Sequence, residues 1–124
     1  VLLLDVDHFK HINDNHGHDA GDRVLTALAT NLVSRLRSSD LLFRLGGEEF
    51  AILLREQSQQ DAVLLADALR QMVEQATTAG LPACTVSIGV ATYQPGDDEQ
   101  SLLRRADLAL YRAKELGRNR VQCG

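Results

Sequence analysis

The 124-residue sequence predicts a single α+β domain in which helices flank a central, mostly antiparallel sheet. Short apolar or alternating runs, typical of strands, are interspersed with longer segments whose apolar residues recur every three or four positions, as in helices. Hydrophobic residues make up 44% of the chain, which is enough for one core and excludes a disordered chain. No apolar run approaches the roughly 20 residues of a membrane span.

The first part of the chain predicts a strand, a loop and a helix. Val1–Val6 is a short apolar run that is typical of a buried strand. Residues 8–18 are polar and rich in turn formers, so we expect a loop there. Apolar residues then recur at helical spacing over 20–36, with Asp19 as the expected N-cap and Asp22 in the first turn.

The middle of the chain predicts a hairpin followed by a second helix. Leu41–Leu45 and Phe50–Leu54 are β-like runs, and residues 46–49 between them form a tight turn. Ser58 and Asp61 resemble a capping box, which predicts that the second helix begins there.

The last third predicts a strand, a helix and a short closing strand. Residues 80–82, Gly-Leu-Pro, end the second helical segment, and Cys84–Ala91 alternates polar and apolar residues as a half-buried strand does. A third helix is expected over Ser101–Leu116, with Gly117 just after its end, and a short strand over 120–123. The resulting order, β-α-β-β-α-β-α-β, predicts a ferredoxin-like sheet with an added helix and strand.

Charge is unevenly distributed along the chain, although the net charge is only −4. Residues 1–22 carry five Asp and one Lys, whereas residues 101–124 carry six Lys or Arg and two acidic residues. The two ends could meet around a metal and an anion, or could simply be solvated charge. The two cysteines, Cys84 and Cys123, are expected to be reduced thiols of a cytosolic protein, with a single disulfide as the alternative.

Two acidic motifs suggest a divalent-metal site. Asp5 and Asp7 are two positions apart at the end of the first strand, so both carboxylates are expected on one face, where Mg²⁺ would be the usual reason for their proximity. The alternative is a strand that ends in solvent. In the hairpin, Gly46 and Gly47 allow positive φ and close approach of a ligand. Glu48, next in sequence, is not needed for folding and can reach the same metal as Asp5 if the hairpin lies beside the first strand.

The segment Arg44–Phe50, which reads Arg-Leu-Gly-Gly-Glu-Glu-Phe, resembles the signature of the GGDEF domain, or diguanylate cyclase, family in its Glu-containing form. Four further segments are similar to this family in the expected order, and they are residues 5–14, 17–22, 87–90 and 106–119. The resemblance covers the whole chain. It implies a nucleotidyl-cyclase-like fold and a nucleotidyltransferase that condenses two GTP into cyclic di-GMP and two pyrophosphates between two facing domains of a homodimer.

The resemblance also implies a metal site and catalytic groups. Asp5 and Glu48 would bind Mg²⁺, with Mn²⁺ as a possible substitute, through their side chains, and Val6 would bind it through its carbonyl. Glu48 would also be the base for the ribose 3′-hydroxyl, and Glu49 could share that work. Lys10 would stabilise the phosphate being transferred.

The resemblance assigns substrate binding to a larger set of residues. Backbone groups of the phosphate loop would hold the GTP phosphates, a carboxylate and an amide would contact the guanine edge, and two cations would meet the terminal phosphates. His8 and Phe9 belong to the phosphate loop, Asp22 and Asn13 would contact the guanine edge, and Lys114 and Arg118 would meet the terminal phosphates. His18, Gly46 and Gly47 match further substrate-binding positions. Structural roles are the alternatives, since Asp22 could face a helix dipole and Asn13 could serve a turn.

A second site is implied by Arg37 and Asp40, which match the family's primary inhibitory site for the product, cyclic di-GMP. Arg can grip phosphate and guanine with two hydrogen bonds, and Asp can accept from guanine. The alternative is a helix-terminal Arg followed by a polar turn. The family often adds an Arg from the following helix, where Arg70 is the only candidate.

Three other kinds of function are a nucleotide-binding module, a nucleic-acid-binding domain and a zinc protein. The alternative to a cyclase is a module that binds GTP or cyclic di-GMP without turnover. A nucleic-acid partner is not expected because only five aromatic residues are present and the net charge is −4. Four histidines over residues 8–18 could suggest zinc, but no cysteine accompanies them and their spacing is not a usual ligand pattern.

The resemblance further implies that residues 1–124 are one domain without the family's preceding helical segment. We expect this domain to be cytoplasmic and to make no membrane contact, and a membrane anchor elsewhere in its parent protein is compatible with this expectation. Cyclic di-GMP is a bacterial second messenger that controls motility and biofilm formation, so the resemblance places the domain in bacterial signalling.

Overall fold

The computed structural model describes all residues, 1–124, and contains five strands and four helices. In chain order they are β1 (Leu2–Val6), α1 (Phe9–His16), α2 (His18–Val33), β2 (Leu41–Gly46), β3 (Glu49–Leu53), α3 (Gln59–Gln75), β4 (Val86–Val90), α4 (Glu99–Glu115) and β5 (Val121–Cys123). The sheet order is β2-β3-β1-β4-β5. All neighbours are antiparallel except β4 and β5, so the predicted α+β fold with a mostly antiparallel sheet is confirmed.

Helices cover both faces of the central strands. The larger apolar cluster joins the sheet to α2 and α3, and a smaller cluster joins Leu3 and Ala51 to Ala106 and Leu110 of α4. As a result, every residue of β1 and β4 is buried. The sequence predicted that β4 would be half-buried, and it is instead buried on both faces because small residues on its second face accept α4.

Gly89 of β4 is the point where α4 approaches the sheet most closely. A Cβ atom there would lie 2.3 Å from the Ala106 carbonyl oxygen and 2.4 Å from the Leu110 nitrogen. Both of these are backbone atoms of α4, so no side chain could move aside to make room. Glycine at this position therefore fixes how close α4 lies to β1 and β4.

The segment predicted as a polar loop contains an additional helix, α1. It buries Ile12 in the larger core cluster and packs on α2, and this burial overrides the poor helix propensity of its Asn, Asp and His residues. Gly17, with φ of 88°, separates α1 from α2. The prediction that Asp19 is the N-cap of α2 is wrong, because the helix begins at His18 and has no side-chain cap.

The other helix ends follow the sequence signals more closely. The Ser58 hydroxyl accepts from the Asp61 backbone N–H, so the predicted start of α3 is confirmed. The helix ends at Gln75, before the predicted Gly-Leu-Pro stop at 80–82. Asp98 and Ser101 form a reciprocal capping box at the start of α4, and Gly117 follows its end with φ of 123°.

Cys84 and Cys123 are both free, as the sequence predicted, and each is half-buried. No helix in the structure is both long enough and apolar enough to cross a membrane.

We expect Gly89→Ala to lower the free energy of unfolding by roughly 2 kcal/mol, because the added methyl group forces α4 away from the sheet. Urea unfolding followed by circular dichroism measures the change. An alanine also restricts the unfolded chain, which by itself would stabilise the protein. Unchanged or increased stability would therefore show that α4 does not depend on this close contact.

Candidate active site

An open cleft of about 250 Å³ lies where the carboxyl end of β1 meets the β2–β3 hairpin, the start of α1 and the end of α4. It contains most of the predicted catalytic, metal-binding and phosphate-binding residues. Its lining is formed by Asp5, Val6, Asp7, His8, Phe9, Lys10, His11, Glu48, Lys114 and Arg118. We call this the active-site cleft. It mixes acidic and basic side chains from both ends of the chain, as the uneven charge distribution suggested.

Strand pairing brings the acidic groups together. β1 pairs with β3 so that Asp5 lies opposite Glu49, and the Val6 backbone N–H donates to the Glu48 carbonyl oxygen at 3.2 Å. Burial raises the pKa of Asp5, and the negative charges of Glu48 and Asp7 raise it further, against the lowering effect of the hydrogen bond from Lys114. Burial, followed by the charge of Asp5, also raises the pKa of Glu49, which makes this carboxylate a stronger proton acceptor.

The donors in the cleft fit a hard divalent cation. Asp5 and Glu48 bring carboxylates to the cleft, and Val6 lies with them in the lining. Burial raises the pKa of Asp5 even though Lys114 donates a hydrogen bond to it. No group of three or more His, Cys, Asp or Glu side chains converges anywhere in the structure. Mg²⁺ does not need such a group, because it commonly takes one or two carboxylates and completes its shell with water and substrate phosphates.

Asp7 lines the cleft, but its oxygens are already used by the protein. Oδ1 accepts from the Ser87 hydroxyl at 2.6 Å, and Oδ2 accepts from the Thr85 hydroxyl at 2.7 Å and from the Asn119 backbone N–H at 3.0 Å. The expectation that Asp5 and Asp7 meet at one cation therefore does not hold for Asp7. Its carboxylate instead links the end of β1 to β4 and to the segment after α4.

The phosphate-binding prediction concerns the start of α1. His8 has φ of 55° and stands just before the helix, so the chain turns sharply out of β1 into α1, whose first residues, Phe9 and Lys10, line the cleft. Backbone donors at a helix N-terminus favour anions. Lys10, also in the cleft, is exposed, and Lys114 donates to Asp5 from the opposite wall.

Arg118 belongs to a strained turn, Gly117–Asn119, that follows α4. All three of its residues have positive φ, at 123°, 64° and 46°, and two of them are not glycine. Such backbone costs on the order of 1–3 kcal/mol per residue and persists only where the surroundings enforce it. The strained backbone indicates that surrounding contacts hold this turn in place beside the cleft.

The predicted guanine-contacting residues lie on α1 and α2, outside the lining of the cleft. The Asn13 side-chain oxygen is buried without a hydrogen-bond partner, against Gly21, where a Cβ would lie 1.9 Å from it. Asp22 is exposed and sits beyond the first turn of α2, so the helix-dipole alternative loses its support. His18 is the first residue of α2 and is also exposed. Gly21, which makes room for Asn13, was not predicted to matter.

At the predicted inhibitory site, Arg37 and Asp40 are paired with each other. The guanidinium donates to both carboxylate oxygens of Asp40, at 2.9 and 3.2 Å, and also to the Arg55 carbonyl at 2.7 Å. These hydrogen bonds hold the pKa of Asp40 below its usual range. Asp40 is buried while Arg37 is about half exposed, so the pair presents an oriented guanidinium at the surface.

Arg70, the candidate for an additional inhibitory arginine, has other partners. It donates to Asp67 at 2.9 Å, to Glu74 at 3.0 Å and to the Asn119 side chain at 3.1 Å. Arg70 is therefore engaged with the turn that carries Arg118. The sequence contained one signal of this role, since Asp67 and Glu74 are spaced three and four residues from Arg70 on one helix face.

A second open pocket, of about 370 Å³, lies next to the cleft and contains His8, His11 and His16. The His8 and His11 rings meet edge to face, with centroids 5.6 Å apart. Since no three metal-binding side chains converge, the arrangement gives no support to zinc.

Comparison with known proteins identifies the family to which the chain belongs. The family described as "Diguanylate cyclase, GGDEF domain" matches residues 1–120. The chain is 51% identical over 121 residues to diguanylate cyclase DgcM of Escherichia coli K12, covering 98% of this chain and 30% of DgcM. It is 44% identical over 127 residues to the response regulator PleD of Caulobacter vibrioides, covering 98% of this chain and 28% of PleD. The chain thus spans about a third or less of these relatives.

Solved structures show the same fold. The GGDEF domain of DgcB from Caulobacter crescentus, in complex with c-di-GMP, matches with a TM-score of 0.94 at 35% identity, covering 98% of this chain and 75% of that chain. The active GGEEF domain of a diguanylate cyclase from Vibrio cholerae matches with a TM-score of 0.91 at 36% identity, covering 98% and 80%. Together with the match over residues 1–120, these likenesses show that the chain belongs to the diguanylate cyclase GGDEF domain family.

Proposed function

We propose that this domain is a diguanylate cyclase that condenses two GTP into cyclic di-GMP and two pyrophosphates. The observation that carries the proposal is the active-site cleft, whose lining combines the carboxylates of Asp5, Asp7 and Glu48 with three cationic side chains. That combination suits phosphoryl transfer, where anionic phosphates must be held and a hydroxyl must lose its proton. The relatives named diguanylate cyclases support the same conclusion.

In the proposed reaction the ribose 3′-hydroxyl of each GTP attacks the α-phosphorus of the other, so that two phosphodiester bonds form and two pyrophosphates leave. Lys10, Lys114 and Arg118 would bind the phosphates and offset their charge, and the amide groups at the start of α1 would orient them. Glu48 would accept the hydroxyl proton. Glu49, whose pKa is raised, could share that role.

Asp5, Glu48 and the Val6 carbonyl would hold Mg²⁺, or Mn²⁺ in its place, and the bound ion would supply positive charge to the reacting phosphate and lower the pKa of a coordinated hydroxyl. Lys114 donates a hydrogen bond to Asp5 and lines the cleft, so it would exchange this partner for a phosphate when GTP binds. Asn13, His18 and Asp22 would bind the base, since guanine offers donors that a carboxylate accepts.

We expect each cleft, of about 250 Å³, to hold a single GTP, whereas the reaction joins two nucleotides. Two copies of the domain must therefore face each other, most simply as a symmetric homodimer. Arg37 and Asp40 would form a separate site for cyclic di-GMP, where the oriented guanidinium could bind phosphate or guanine and give product inhibition.

We expect Glu48→Gln to lower turnover by at least about 100-fold, because it removes both a metal ligand and the proton acceptor. Cyclic di-GMP formed from GTP and Mg²⁺ is quantified by chromatography over a range of protein concentrations, so that dimerisation is included. Glu115→Gln, an exposed change at the end of α4 outside the cleft, is the matched control. Turnover by Glu48→Gln equal to that of the wild type would contradict the proposed role.

The second candidate function is a module that binds GTP or cyclic di-GMP without turnover, and the preformed Arg37–Asp40 pair is the observation that favours it. Calorimetry with each nucleotide separates the two functions. Binding of either nucleotide with no cyclic di-GMP formed at any protein concentration would favour the binding module over the cyclase.

We expect Arg37→Ala to raise the cyclic di-GMP concentration needed for half-inhibition by about tenfold or more, because a charged hydrogen-bond donor to the ligand is lost. Because Asp40 then stays buried without its partner, Arg37→Lys is tested beside it, and thermal melting reports whether each variant is folded. Arg35→Ala, at an exposed position nearby, is the control. Wild-type inhibition in both Arg37 variants would rule this site out.

A further inference from the structure

The Gly117–Asn119 turn is held by side chains that lie far from it in sequence. The Asn119 backbone N–H donates to Asp7, and its side-chain amide donates to Glu74 Oε2 at 2.6 Å while its amide oxygen accepts from Arg70 Nη1 at 3.1 Å. Arg70 Nη1 also donates to Glu74 Oε2 at 3.0 Å. Asn119, Arg70 and Glu74 thus form a closed triangle of hydrogen bonds, which we call the α3 brace.

The α3 brace fixes Asn119 in one orientation. Its amide N–H₂ faces a carboxylate and its amide oxygen faces a guanidinium, so a flipped amide would set donor against donor and acceptor against acceptor. Arg70 is itself fixed by a further hydrogen bond to Asp67 and is mostly buried. The brace therefore transmits the position of a long, packed helix to a strained turn.

The α3 brace fixes the backbone next to Arg118. Arg118 has φ of 64°, lies between the glycine and the braced asparagine, and lines the active-site cleft while its own side chain makes no hydrogen bond to the protein. Because the side chain has no partner in the protein, the position of its backbone sets the region that its guanidinium can reach. Its N–H donates to the Ala113 carbonyl, and the next residue is anchored by the brace and by Asp7.

We propose that Arg70 and Glu74 are positioning residues that act through Asn119 to place Arg118 for binding the terminal phosphates of GTP. This inference rests on the proposed function, since it assumes that the cleft holds GTP. Neither Arg70 nor Glu74 lines the active-site cleft, so both would act on the nucleotide only through the turn.

Binding measurements can isolate this role from chemistry. The probes are guanosine 5′-(α,β-methylene)triphosphate, in which the bond broken by the reaction is replaced by a stable carbon bridge, and GMP, which lacks the terminal phosphates. In the presence of Mg²⁺, we expect Arg70→Ala and Asn119→Ala each to weaken binding of the triphosphate about tenfold, since loss of alignment costs affinity even where no contact is removed. GMP affinity should change less than about twofold, because GMP does not reach Arg118.

Two controls separate positioning from a general loss of structure. Gln71→Ala alters the same helix but removes only an exposed hydrogen bond to Asp67, so triphosphate affinity should be unchanged. In an Arg118→Ala background, Asn119→Ala should cost no further triphosphate affinity, because the residue being positioned is absent. Urea unfolding checks that each variant is folded, and Arg70→Lys, which keeps the charge, should recover part of the affinity lost in Arg70→Ala.

The outcomes distinguish the inference from the proposed function. Normal triphosphate binding by the wild type together with full binding by Arg70→Ala and Asn119→Ala would overturn the inference alone. Equal losses for GMP and the triphosphate, or additive losses in the Arg118→Ala background, would also overturn it, because they indicate a structural effect only. Failure of the wild type to bind the triphosphate would contradict the proposed function and the inference with it.

Discussion

The carboxylates of Asp5 and Glu48 are held near each other by the pairing of β1 with β3, and this unfavourable proximity shapes the rest of the cleft. β1 is buried on both faces and hydrogen-bonded on both edges, so the strand cannot shift to separate the charges. The consequence is the raised pKa of Asp5, which burial and the charge of Glu48 both favour. Nearby positive charge stabilises the ionised carboxylates, and Lys114 of α4 provides some of it through its ion pair with Asp5. A divalent cation would supply the remainder, so the electrostatic cost of the folded state becomes affinity for metal and phosphate.

Two features bring the positive side of the cleft to this acidic centre. Gly89 lets α4 approach the sheet until backbone meets backbone, which carries Lys114 over the end of β1. Asp7 then accepts hydrogen bonds from β4, from the segment before it and from Asn119, so the walls of the cleft share one buried carboxylate. Most of the site's side chains are thus fixed by strands and helices, an arrangement that favours catalysis by positioning. The Arg37–Asp40 pair is built separately, at the connection between α2 and β2.

Much of this could be predicted from the sequence, because the apolar pattern of each strand and long helix is local. The hairpin and the order of the elements followed from periodicity and from the glycine pair at 46–47, and the resemblance carried by five motifs identified the family. The local sequence pattern gave wrong predictions where burial against distant parts of the chain determines the structure. α1 is composed largely of poor helix formers and exists because Ile12 reaches the core. The bonds from Asn119 to Asp7 and to Arg70 join residues 112 and 49 positions apart, so no spacing rule could reveal them. Asp7 was expected to face a cation because its hydrogen-bond partners, Thr85, Ser87 and Asn119, lie far from it in sequence.

Binding of Mn²⁺ tests most directly whether the carboxylate pair is a metal site completed by the nucleotide. Free Mn²⁺ is followed by electron paramagnetic resonance as it is titrated into the wild-type domain with and without the methylene analogue of GTP. Asp5→Asn and Glu48→Gln are compared with Asp14→Asn, an exposed acidic residue on α1 outside the cleft. We predict that the nucleotide makes the wild type and Asp14→Asn take up Mn²⁺ and that both cleft variants lose this uptake. Undiminished uptake by Asp5→Asn and Glu48→Gln would contradict the account, because the strained carboxylate pair would then not be what binds the metal.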